Sequence, residues 1–207
     1  MNPRLALYEE LLPEFDNSDE LAIVVEADQP TTWQALIDTD LMEVGRKHPV
    51  SAALGAARIL PELIVGLVHG DTPEPPPDSM KLGEMADPRS GAGTWVKLGE
   101  RTGSELALGL VGKFWKPLID YRSVAAEDFS SFSEPGFAKT IYAFRLQPAG
   151  EGRTLVTAVM RTATTDEHAR KWFRRYWTYG VGSGAHILVN GLLDVVRDAA
   201  EDAAGAR

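Results

Sequence analysis

Residues 165–203 carry one helical stripe, and whatever precedes it must supply a surface that so long a helix can cover. Ala169, Trp172, Phe173, Tyr176, Trp177, Gly180, Gly184, Ile187, Leu188, Gly191, Leu192, Val195, Val196 and Ala199 fall on a single 3.6-residue period. At about 1.5 Å per residue, an unbroken helix of that length exceeds the width of a small domain. Gly180, Gly182 and Gly184 therefore mark an expected kink, or a split into two helices. Thr164 and Glu167 fit a capping box at the helix start.

The surface is predicted from the alternation that fills residues 94–163. Strands are expected at 94–101 and 105–112, joined by the hairpin turn Thr102-Gly103-Ser104. Further strands are expected at 138–147 and 153–163, joined by Pro148-Ala149-Gly150-Glu151-Gly152, with a shorter one near 121–126. Upstream, the spacing predicts a short helix over 4–12 and a strand over 20–28, with Leu21, Ile23, Val25 and Ala27 on one face and Glu26 pointing outward. Asp28 and Pro30 begin a helix whose apolar face holds Trp33, Leu36 and Ile37. A second helical stretch, at 50–67, is interrupted by Pro61. Residues 71–93 are dense in Pro, Gly and Asp, with little to pack, and read as a loose connection or a flap. The expected organisation is one domain over 1–207, with 1–18 as an N-terminal helical extension.

Composition narrows the function. The net charge of −9 argues against nucleic acid as the main partner. The absence of cysteine excludes disulfides, Cys-based zinc sites and thiol catalysis. Residues 176–193 lack Asp, Glu, Lys and Arg, but their Gly, Ser, His and Asn content is too polar for a membrane span. No secretion signal is evident at the N-terminus, so a cytoplasmic location is expected. His48, His69, His168 and His186 have no partner at metal-ligand spacing on a helix, and neither metal nor cofactor is expected. Gly180-Val181-Gly182-Ser183-Gly184 is not a phosphate loop, because it follows a helical stripe and lacks the lysine.

Five motifs run nearly end to end. They are Leu12-Pro13-Glu14-Phe15-Asp16, Pro30-x-x-Trp33-x-Ala35-Leu36 and Leu108-Gly109-Leu110-Val111-Gly112-Lys113-Phe114-Trp115. Then come Phe129-x-x-Phe132-x-x-Pro135-Gly136-x-Ala138-Lys139 and Thr165-Asp166-x-x-Ala169-Arg170-x-x-Phe173-Arg174-x-Tyr176-Trp177. In order and spacing the chain resembles the START-like (SRPBCC) helix-grip superfamily, in particular its polyketide cyclase-related bacterial proteins. The resemblance implies an α+β fold in which a curved antiparallel sheet wraps around a long C-terminal helix. It also implies a hydrophobic cavity between them. Similar proteins often carry a Thr-Glu-Thr-Arg-like run in the last strand. Here Ala158-Val159-Met160-Arg161 keeps the arginine without the carboxylate, so no acid-base role carries over.

The expected function is binding of a small hydrophobic or amphipathic ligand, such as a lipid, polyketide or aromatic metabolite. The expected wall is Trp33, Leu108, Leu110, Tyr142, Phe144, Trp172, Tyr176, Trp177 and His186, with Glu100 and Arg161 as polar groups. Glu100, sharing a face with Val96 and Leu98, is expected to point inward. Two alternatives stand beside this: a cyclase or dehydratase using the same cavity, and an interaction module with a filled core. Arg170, Lys171, Arg174 and Arg175 form a basic patch on the face away from Trp172, Phe173 and Trp177, read either as a solvated face or as a contact for an acidic headgroup or partner. Oligomeric state stays open.

Overall fold

The computed structural model describes residues 5–48, 53, 79–87 and 95–206. In chain order the elements are α1 (Leu7–Leu11), β1 (Asn17–Val25), α2 (Gln29–Asp38), α3 (Leu41–Lys47), a 3-10 turn (Leu82–Glu84), β2 (Val96–Arg101), β3 (Glu105–Gly112) and β4 (Tyr121–Arg122). They continue with α4 (Ala126–Phe129), β5 (Ala138–Pro148), β6 (Thr154–Thr164), α5 (Glu167–Tyr176), a π-helical turn (Trp177–Val181) and α6 (Gly182–Gly205). The helical stretch expected at 50–67 and most of 71–93 lie outside the described residues.

The strands form one antiparallel sheet in the order β1-β6-β5-β3-β2, with β4 pairing the end of β3 beyond β2. The architecture is α+β: a curved six-stranded sheet with a long C-terminal helix, the helix-grip arrangement expected. Cross-strand partners share a face. Leu108, Tyr142, Met160 and Asp19 stand in one row, and Leu106, Phe144, Ala158 and Leu21 in the next. This face carries the main core, which also takes in Trp33 and Leu36 of α2 and Leu192, Leu193, Val195 and Val196 of α6.

The opposite face is also covered, which the alternation did not foretell. Ala107, Val111, Ile141 and Ala143 pack with Phe129 and Phe137, and with Leu7, Tyr8, Leu11 and Leu12 from α1 and the residue after it. All eight residues of β3 are buried for that reason. At Gly109 a Cβ would stand 2.7 Å from Leu98 Cδ1 and 2.9 Å from Phe129 Cε2, so only glycine admits this approach. A buried ionic cluster fastens α1: Glu105 accepts from the Leu7 N–H at 3.0 Å and from Arg101 Nη1 at 2.7 Å, with Arg145 Nε at 3.3 Å.

Several boundaries move for local reasons. β1 starts and ends three residues before the expected strand, because Asp28 is the N-cap of α2 and accepts from the Thr31 N–H at 2.9 Å. Thr164 does not cap α5. It is the last residue of β6, and Asp166 caps α5 by accepting from the Ala169 N–H at 2.7 Å. The strand expected over 121–126 shortens to two residues before the helical turn of α4. Residues 79–87 are held in place. Asp40 bridges Lys81, Asp40 Oδ1 accepts from the Met80 N–H at 3.0 Å, and Leu82 and Met85 are buried.

The expected stripe is disturbed locally. A π turn accommodates one extra residue per turn, and just beyond Trp177–Val181 Ala185 is buried while Ile187 and Leu188 are 42% and 38% exposed. Farther on, Gly191, Leu192, Val195 and Val196 are buried as expected, joined by Leu193, and Ala200 takes the place of Ala199.

Asp16 ties the start of β1 to the end of β6 and to α5. Its carboxylate accepts from the Thr164 N–H at 2.7 Å, the Thr164 hydroxyl at 2.6 Å and Arg170 Nε at 2.6 Å. Burial works against the charged form, but the Thr164 hydrogen bonds and Arg170 outweigh it and hold the carboxyl below the usual aspartate range. A depressed folded-state pKa gives stability that is complete above the ordinary aspartate value of about 3.9 and vanishes as pH falls through the folded value. Asp16→Asn is therefore expected to cost about 1–2 kcal/mol in urea unfolding at neutral pH, with the gap from wild type closing below about pH 4. A gap that persists unchanged in acid contradicts this role.

Candidate functional site

Two recesses lie on either side of the π turn, one beneath the closing helix and one on the surface beside α5. The inner part is a cleft of about 20 Å³ beneath the first turns of α6, among Leu21, Tyr142, Phe144, Met160, Ala185 and Val189. That volume holds about one water molecule. His186 Nε2 and Asp19 Oδ1 meet at 3.2 Å on its edge, linking α6 to β1. The outer part is an open groove of about 400 Å³ walled by Trp115, Trp172, Arg175, Tyr176 and Tyr179.

The local sequence explains the division. On the sheet side, α2 delivers Trp33 and Leu36 into the main core, where Leu108, Phe144 and Leu192 also lie, so that end is filled. Around the π turn the packing is thinner. Leu110, Phe114, Ala138 and Phe173 form a small cluster with Trp95, Trp115, Tyr176 and Trp177 at its margin. The Trp177 ring stacks on Phe173, 5.9 Å between centroids and 18° apart, and folds back over Gly182. A Cβ at Gly182 would meet Trp177 O at 2.9 Å and Nε1 at 3.2 Å. At this glycine the vacated volume is taken by the protein's own indole.

Tyr142 stands out among the polar groups on the helix-facing side. Its ring meets Trp95 edge-on at 5.2 Å. Its hydroxyl makes no hydrogen bond among the described residues. Burial, reinforced by the phenols of Tyr176 and Tyr121, pushes its pKa well above the ordinary phenol range, so the group is a neutral potential donor.

The expected wall residues are thus distributed over several places. Tyr142, Phe144 and His186 line the inner cleft, and Trp172 and Tyr176 line the outer groove. Trp33 and Leu108 are core residues, 8% and 2% exposed, and Leu110 belongs to the cluster behind the groove. Trp172, expected on the buried stripe, is 41% exposed.

Of the two expected polar groups, Arg161 needs correction, and Glu100 reaches its expected side by another route. Arg161 pairs across from Ile141 and points to the other face of the sheet. There its guanidinium lies 4.6 Å from the Tyr8 ring and 4.4 Å from the Phe15 ring. Glu100 does not share a face with Val96 and Leu98. A bulge between Lys97 and Gly99 shifts the alternation and sets Glu100 across from Leu106, on the helix-facing side as expected, but at the exposed edge strand and away from both recesses. There Lys97 and Thr102 hold its carboxyl below the usual glutamate range.

Sequence reasoning overlooked Trp115, Tyr179, Met160, Ala185 and Val189 as site residues. The spacing of Trp172, Tyr176 and Tyr179 at i, i+4 and i+7 was a readable signal. Nothing local could bring Trp115 to them, because it arrives on the loop after β3. Among the described residues, no helix is long and apolar enough to cross a membrane, and no three His, Asp or Glu side chains gather as a metal site.

No family model and no curated protein matches the chain. Two solved structures overlay on it loosely. One is a hypothetical protein of Helicobacter pylori, at 10% identity and a TM-score of 0.41, covering 95% of this chain and 98% of that one. The other is the Zhui aromatase/cyclase of Streptomyces sp. R1128, at 13% identity and a TM-score of 0.31, covering 87% and 93%.

A phenol that makes no hydrogen bond among the described residues loses little when it is removed. Tyr142→Phe is expected to leave thermal and urea stability unchanged, or to raise it slightly. A loss of about 1 kcal/mol, the usual result for a hydrogen-bonded tyrosine, contradicts the assignment.

Proposed function

We propose that the protein binds a small apolar or amphipathic molecule without covalent chemistry, seated in the outer groove at the junction of α5 and α6. The observation that carries this reading is the groove itself: about 400 Å³ walled by Trp115, Trp172, Tyr176 and Tyr179, with the single cation Arg175 beside them. Sites of a few hundred Å³ with aromatic walls and few polar groups suit ligands of drug-like size. The inner cleft, at about 20 Å³, is too small for any such molecule unless the start of α6 moves.

An open groove covers only part of a ligand, so affinity rests mainly on aromatic stacking, about 1 kcal/mol for each ring in good geometry, and is expected in the high micromolar range. The reading favours binding over turnover because the polar groups of the expected cavity, Glu100, Arg161, Tyr142 and His186, all lie off the groove.

A neutral naphthalene alcohol tests it through the protein's own tryptophan fluorescence. The expected result is saturable quenching in the micromolar range, weakened about tenfold or more in Trp172→Ala and in Tyr176→Ala. Trp172→Ala is expected to keep its thermal midpoint, since the ring is half exposed. Equal affinity in wild type and both variants overturns the reading.

A further inference from the structure

The outer rim of the groove has a composition that ligand binding does not explain. Tyr179 is 88% exposed and Trp172 41%, and Leu118 on the loop that carries Trp115 is 43% exposed. Around the helix, Arg175 stands about 60° from Trp172 and Lys171 about 100° on the same flank, while Arg174 lies nearly opposite. Most other lysines and arginines among the described residues sit within 4 Å of a carboxylate. They include Arg101, Arg122, Arg145 and Arg170. Lys171, Arg174 and Arg175 have no carboxylate partner among the described residues, although the chain carries 30 acidic residues and a net charge of −9. Arg175 instead lies over the Trp172 ring at 5.4 Å.

We propose that this rim docks on the surface of an anionic lipid bilayer. Indole and phenol rings suit the water–hydrocarbon interface, since each has an apolar body and a polar tip. Beside them, cations without carboxylate partners among the described residues meet lipid phosphates and carboxylates. The net negative charge of the chain is repelled by the same surface, which favours approach through the rim. This inference goes beyond ligand binding and stands if the groove proves empty. If both hold, the groove opens toward the membrane from which an amphipathic ligand would come.

The test is cosedimentation of the full chain with two sets of vesicles, phosphatidylcholine alone and phosphatidylcholine containing phosphatidylserine. The wild type is expected to bind the anionic vesicles, to bind the neutral ones far more weakly, and to be released by added salt. Removing a surface cation costs about fivefold in such binding. Lys171→Gln combined with Arg175→Gln is therefore expected to lose more than tenfold. Tyr179→Ser is expected to weaken the binding that survives at high salt, and all three positions are exposed enough for the thermal midpoint to stay put. Equal binding to both vesicle types, binding to neither, or full binding by the cation variant overturns the proposal. The naphthalene alcohol titration reads the groove without lipid, so the two proposals fail separately.

Discussion

The packing of α2 against α6 decides what this molecule can hold. A curved sheet leaves room beneath a helix that crosses it, because curvature carries the strands away from the line of contact. Here Trp33 and Leu36 occupy that room in one core with Leu106, Phe144, Leu193 and Val196. Burying a large aromatic and several aliphatic side chains at roughly 25 cal/mol per Å² makes this the strongest attachment of the closing helix. What remains beneath the helix is a space for about one water molecule, and the open volume is displaced to the far side of the π turn.

The closing helix consequently has two regimes. From Leu192 to Ala200 its inward side chains are buried against α2 and the sheet. From the π turn to Leu188 it is held by Ala185, the His186–Asp19 contact and Trp177 folded over Gly182, while Ile187 and Leu188 stay half exposed. The aromatic groove lies beside this weaker stretch, and its rim carries Lys171 and Arg175, cations of α5 without a carboxylate partner among the described residues. A thinly packed helix start, an aromatic recess and a basic aromatic rim thus occupy one end of the molecule. The other end, where α2 meets α6, is filled.

The fold was legible because two periods, one of two residues and one of 3.6, rarely err over long runs. The hairpin at Gly103, the β5–β6 hairpin and the N-cap at Asp28 all stand as read. The motifs behind the resemblance proved to be structural clips. Asp166 accepts from the Gly136 N–H, Thr165 exchanges hydrogen bonds with Phe137, and Lys139 donates to the carbonyls of Phe129 and Phe132. Gly136 holds φ at +84°, which its neighbours require and other residues resist. Such motifs announce a fold and say little about a ligand.

The site was less legible, and for physical reasons. A β-bulge at Leu98 separated Glu100 from the face of Val96 and Leu98, and the π turn brought Ala185 inward and turned Ile187 and Leu188 out. Neither leaves a mark on hydrophobic periodicity. The account depends on the contrast between the two halves of the closing helix, and amide hydrogen exchange reads that contrast directly. Amides from Leu192 to Ala200 are expected to exchange only through global unfolding. Those from Thr178 to Leu188 are expected to exchange orders of magnitude faster, through local opening. Equal, global-level protection along the whole of α6 would contradict the account.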